Sequence, residues 1–177
     1  MTIVDRLLKL QEHILEVGLA QAVLALPAPR MLGLPAPSSE GASSANIFVH
    51  SITESEIVEV SRDLFVSGHY SLAVQEAYKA VEKAVQAQAS EHAKAGTSLM
   101  DFVFSVDKPR LAWSDRNTQS EVDEQRGYQR LFSGAMLGIR NPVAHEFDWV
   151  ESPEVALELL MFAQHLFRKA KQAVPVP

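Results

Sequence analysis

Residues 70–90 read YSLAVQEAYKAVEKAVQAQAS, and the spacing within them decides the fold class. Tyr70, Ala73, Val74, Ala77, Ala80, Val81, Ala84 and Val85 return at the three- and four-residue intervals of one buried helix face. So many alanines on one stripe let a neighbouring helix approach closely. The stretch therefore predicts a long helix with at least one other helix laid against it.

Towards the N-terminus, Thr53 and Glu56 have the spacing of a capping box. The helix it opens presents Ile57, Val60, Leu64 and Phe65 and ends near Gly68. Asn46 to Ser51 reads as a short extended run. Before it, Pro27, Pro29, Pro35 and Pro37 give way to Ser38, Ser39, Gly41, Ser43 and Ser44, a composition that remains a linker. Residues 2–26 return to helical spacing through Ile3, Leu7, Leu10, Ile14 and Leu24. The expected organisation is an N-terminal helix (1–26), a Pro/Ser-rich linker (27–45) and a helical domain (46–177).

Towards the C-terminus, Gly96 and Thr97 precede a short apolar helix from Leu99 to Phe104. Residues 105–120 lack periodicity and read as loop. A long helix from Glu121 to Arg140 turns Tyr128, Leu131, Phe132, Ala135, Met136 and Ile139 inward. Ser152-Pro153-Glu154 announces the last helix, with Ser as N-cap and Pro at the first helical position. Its stripe is Val155, Leu159, Leu160, Ala163, Leu166, Phe167 and Ala170. The fold class is all-α: a bundle of four main helices preceded by a tethered N-terminal helix.

The bulk numbers bound the function. An apolar fraction of 47% over 177 residues is enough for one real core plus an appendage. The chain has no Cys, which excludes disulfides and thiolate metal sites. The apolar stretch from Val17 to Ala28 is too short to span a bilayer, so no membrane is expected and the chain reads as cytoplasmic. A net charge of −6 argues against a protein that coats nucleic acid, and leaves room for a local basic cleft. His13, His50, His92 and His165 show no metal-ligand spacing, and no glycine-rich loop cradles phosphate, so neither metal nor cofactor is expected.

One segment stands out: Arg140-Asn141-Pro142-Val143-Ala144-His145. Asn141 is suited to N-cap a new turn and Pro142 to start it. A continuous helix would splay residues five apart by about 140°. A break at Asn141-Pro142 is therefore expected to re-aim Arg140 and His145 into one cleft. RNA cleavage without a metal needs a group that moves the 2′-hydroxyl or leaving-oxygen proton, which imidazole suits. It also needs a fixed cation for the charge developing on the phosphoryl oxygens, which guanidinium suits. Asn141 adds a hydrogen bond or holds the backbone. The plain alternative is a structural corner in which Arg140 pairs with Glu146 or Asp148 and His145 bonds a carbonyl.

The same residues match the Arg-x4-6-His motif, with Asn after Arg, of HEPN domains, and the chain more closely resembles the hypothetical Ymh family in that superfamily. The resemblance is carried by Phe65 to Tyr70 with Ala73 to Ala77 after it, then Gly96 to Met100, Gln125 to Ala135, and Ile139 to Glu146. It covers roughly residues 50–172 and leaves out the first 45. It implies an all-α bundle that pairs into a homodimer with the two motifs facing each other. It further implies a metal-independent endoribonuclease, acting as a toxin or phage-defence effector, with Arg140 and His145 catalytic and Asn141 assisting. An antitoxin or defence-system partner belongs to that picture. Other HEPN proteins are non-catalytic RNA- or protein-binding modules, and a structural subunit of a larger defence complex is a third alternative.

Further candidates surround the motif. Lys79, Lys83, Arg126 and Arg130 are candidate RNA-binding residues forming a phosphate path, or else solvated helix faces. Glu76 and Glu124 are candidates to orient His145 or pair with Arg140. His69 either lines a site or makes a helix-start contact. Arg168, Lys169 and Lys171 complement a helix C-terminus.

Overall fold

The computed structural model describes residues 44–146, 149–150 and 152–176. The N-terminal helix expected over 1–26 and the linker up to residue 43 lie outside the described residues. The fold is all-α. Its elements are α1 (Ser44–Ser51), α2 (Ser55–Val66), α3 (Tyr70–Ala89), α4 (Gly96–Val103) and α5 (Gln119–Ala135). A π-helical segment (Met136–Arg140), α6 (Asn141–His145) and α7 (Pro153–Gln172) follow. A two-residue antiparallel ladder pairs β1 (Leu111–Ala112) with β2 (Val174–Pro175), placing Leu111 opposite Pro175 and Ala112 opposite Val174. Among the described residues no helix is long and apolar enough to cross a membrane.

The helix α3 is the centre of the core, with α7 and α2 laid along it and α4 packed on α5. Its alanines do what their spacing promised: Ala73 and Ala77 are fully buried, as are Ala156, Ala163 and Ala170 of α7. Facing methyl groups let the two backbones come close, and the larger Tyr78, Val81 and Leu160 fill the remaining space. Tyr78 is fully buried, and its hydroxyl donates to the carbonyl oxygen of Leu159 at 3.2 Å. Burial with only that partner pushes the phenol well above its usual range. A second aromatic group joins α4, β1 and α5, where Phe104 stacks on Trp113 at 4.8 Å and on Phe132 at 4.6 Å.

Several local expectations need correction. Asn46 to Ser51 is part of a helix: Phe48 and Ile52, four apart, both enter the core while His50, which a strand would place on the same face, is exposed. Thr53 does not cap α2; the N-cap is Glu54 and no side chain caps it. The amides of Thr53 and Glu54 instead donate to Gln164 Oε1 at 2.6 and 2.9 Å, while Gln164 Nε2 donates to the Ser51 carbonyl at 3.1 Å. One carboxamide on α7 thus serves the end of α1 and the start of α2. The loop over 105–120 contains β1, and α5 begins at Gln119 under a capping box of Thr118 and Glu121. Leu131 and Val155, expected inward, are 44% and 46% exposed. The Ser152 cap is as read: its Oγ accepts from the Val155 amide at 3.2 Å, with Pro153 opening α7.

Candidate functional site

The expected break before Pro142 does not occur. Asn141 is helical (φ −67°, ψ −49°) and caps nothing with its side chain. The chain instead widens into the π-helical segment, and the Asn141 amide reaches back to the Met136 carbonyl five residues earlier. The reason lies in Pro142. In a regular helix its ring would collide with the carbonyl of Gly138, four residues back, and that carbonyl would lose its donor. A wider turn relieves both problems without ending the helix.

Arg140 and His145 consequently point to different neighbours. Arg140 Nε lies 3.6 Å from Glu82 Oε2 on α3. The Glu82 side chain is only 9% exposed and that of Arg140 27%. The distance is too long for a hydrogen bond, and both atoms lack any other partner among the described residues. Glu76 is occupied by Lys79 at 2.7 Å, and Glu124 by Lys169. The sequence reading therefore missed Glu82 as the carboxylate for Arg140. Its signal was present: Glu82 sits beside Val81 and Val85 on the buried side of α3.

His145 is exposed at the end of α6 and forms a ridge between two clefts. The first, about 700 Å³, is bounded on one side by the turn from Gly68 to Leu72 with Gln75, and on the other by Val143 to Glu146 and Val150. The second, about 600 Å³, is lined by Leu137, Asn141, Pro142, His145, Glu146 and Trp149. Asn141 thus shares a cleft with His145, whereas Arg140 lines neither. The second cleft has an apolar rim, with Leu137 63% and Trp149 42% exposed.

The first cleft owes its far wall to a tight helix-to-helix turn. Gly68 takes φ +80°, its amide donates to Phe65 O at 3.1 Å, and the His69 amide donates to Leu64 O at 2.8 Å. This pair of bonds closes α2 with glycine in the left-handed position. His69 is at once the residue after that closure and the N-cap of α3, yet its side chain makes no capping bond. The imidazole is exposed on the cleft, so the helix-start contact weighed for it is not made. The first turn of α3 follows, and its free amides and helix dipole favour negative charge in that cleft. Ser71 is engaged otherwise: its Oγ accepts from the Val150 amide at 2.8 Å and fixes the opposite wall.

The four basic candidates do not gather here. Lys79 pairs with Glu76, Arg126 pairs with Asp123 at 3.2 Å, Lys83 and Arg130 are exposed, and none of them lines either cleft. Arg168 and Lys171 instead bind Glu54 at 2.7 and 3.4 Å, holding the α1–α2 joint to α7. The Arg168 hydrogen bond, ahead of Lys171, keeps the Glu54 carboxyl below its usual range. Among the described residues no group of three or more His, Asp or Glu is arranged to hold a metal ion.

A family model described as protein of unknown function (Hypoth_ymh) matches residues 52–170. No curated protein and no solved structure matches the chain. The matched span begins at Ile52, just before α2, and closes within α7, so it takes in the α3 scaffold, the π-helical segment and both walls of the His145 clefts; the chain belongs to the Hypoth_ymh family.

Proposed function

We propose that the chain is a metal-independent endoribonuclease of HEPN type, a four-helix bundle working as a homodimer in the cytoplasm as a toxin or phage-defence effector. The observation that supports this best is the placement of His145. An unencumbered imidazole stands at the mouth of a cleft whose other wall is the amino end of a 20-residue helix. That end favours phosphate, and the imidazole moves a proton at a ribose hydroxyl or a leaving oxygen. In this reading Arg140, brought to the site by the second copy, steadies charge on the phosphoryl oxygens, and Asn141, beside His145 in the second cleft, assists. The apolar rim at Leu137 and Trp149 is the surface offered to a second copy, which brings its own motif to the site.

A second reading has one observation in its favour. Arg140 leans on Glu82 and is absent from both cleft linings, as suits a non-catalytic RNA- or protein-binding module. Cleavage of total RNA in EDTA separates the two, using wild type and His145→Ala. The nuclease reading expects wild type to leave 2′,3′-cyclic phosphate ends and the variant to lose about 10²–10⁴-fold in rate. Expression of wild type should slow growth, and His145→Ala should relieve it. Tight RNA or protein binding that survives the substitution, with no cleavage by either protein, would establish the binding module instead.

A further inference from the structure

We infer that His69 is the catalytic partner of His145, the two imidazoles forming an acid–base pair for a ribonucleotide phosphodiester bound in the first cleft. The inference rests on the nuclease reading and adds a residue to it. Both histidines are exposed and both line the same space of about 700 Å³, one on each wall. That volume suits a nucleotide-sized ligand. His69 has no structural task for its ring: it is an N-cap that does not cap, and neither imidazole bonds another described residue. Its backbone, by contrast, is tightly set by the Gly68 closure and by the Ala73 amide, which donates to the His69 carbonyl at 2.9 Å. A free ring on a fixed backbone, at the dipole-positive end of α3, is well placed against a phosphodiester.

The chemistry needs two such groups. A neutral imidazole takes the 2′-hydroxyl proton as the 2′-oxygen bonds to phosphorus. A protonated imidazole gives its proton to the 5′-oxygen as the P–O5′ bond breaks. The products are a 2′,3′-cyclic phosphate and a 5′-hydroxyl, and the rings finish with their protonation states exchanged, to be reset by solvent. Arg140, engaged with Glu82, lines no part of this cleft and as a guanidinium moves no proton, so the second proton-transfer group must be another side chain, and His69 is the imidazole in place.

Among the described residues two other titratable groups line the cleft, Tyr70 and Glu146, and a Glu146→Gln variant tests the carboxylate. Rates on an RNA oligonucleotide are measured against pH for wild type, His69→Ala, His145→Ala and Glu146→Gln, with helical content checked by circular dichroism. Wild type should give a bell-shaped profile, and Glu146→Gln should keep the bell whatever its rate. Each histidine variant should fall about 10²–10⁴-fold and lose one limb. A uridine 3′-(4-nitrophenyl phosphate) substrate, whose leaving group needs no proton, should restore one histidine variant to near wild-type rate and leave the other slow. Full activity and an intact bell in His69→Ala, beside a dead His145→Ala, would overturn the pairing and leave the nuclease reading standing. Equal slowness of both variants on the nitrophenyl substrate would also overturn it. No cleavage by wild type would remove the nuclease reading, and the pair with it.

Discussion

Glu82 and Arg140 show how one buried charge constrains a site residue. Glu82 is almost fully enclosed, and the guanidinium is the only cation the described residues bring to it. Arg140→Ala strands a buried carboxylate and should cost about 3 kcal/mol in chemical denaturation, the low end for a buried pair because Arg140 is partly exposed. Adding Glu82→Gln should recover most of that loss, and an Arg140→Ala variant as stable as wild type would show that the pair contributes nothing. The double variant also separates any catalytic role of Arg140 from its effect on folding. At this scale the sequence was only partly legible. It singled out the hexapeptide holding Arg140, Asn141 and His145, and it offered Arg140 two chain neighbours, Glu146 and Asp148, and two distant carboxylates, Glu76 and Glu124, without a means to choose among them. The carboxylate actually facing Arg140 is 58 positions earlier, a distance that only the packing of α3 against the π-helical segment closes.

Among elements, the long helices were readable because their stripes are periodic and their caps local. Ser152-Pro153 needs nothing beyond its own neighbours, and the structure keeps it. Thr53-Glu56 has an equally good local pattern and fails, because Gln164 arrives from α7 and takes the Thr53 amide that the Glu56 side chain would have served, together with the Glu54 amide. A tertiary acceptor outcompetes a local cap when it satisfies two donors and also donates to Ser51. Gln164→Ala should therefore cost about 2–3 kcal/mol by the loss of these bonds. Hydrogen exchange should show the Thr53 and Glu54 amides losing protection; retained protection would mean the joint holds without the carboxamide. The same joint sets an acid limit. Because Glu54 is held below its ordinary value by Arg168, the stability it adds is present above the unfolded carboxyl range and disappears as pH falls through the lower folded value. The π-helical segment was not legible as such: Asn141-Pro142 signals disruption, and whether a helix breaks or widens depends on what its flanks pack against.

For the whole molecule, the clefts are products of assembly. Neither the turn at Gly68 nor the end of α6 forms a site alone; α3 and α6 must pack before His69 and His145 face one space. The overall all-α class was readable from residues 70–90 outward, whereas the pairing of two histidines 76 positions apart was not, since no periodicity links them. The dimer reading belongs to this scale. Leu137→Asp places a charge on the most exposed apolar residue of the second cleft and should convert a dimer to monomer in sedimentation, with helical content unchanged and cleavage lost. A wild type that sediments as a monomer would remove the homodimer from the proposal.

The Gln164 clamp joins residues 111 positions apart, and α7 also packs along α3, whose Ala73, Ala77 and Val81 are buried. During synthesis the first helices leave the ribosome long before that cover exists. Every earlier stage presents an uncovered apolar stripe and an unmet pair of amides, which are targets for chaperones rather than a finished protein. A transcript truncated ahead of Ser152 should yield polypeptides cleared by proteolysis, because α7 is the element that completes this core.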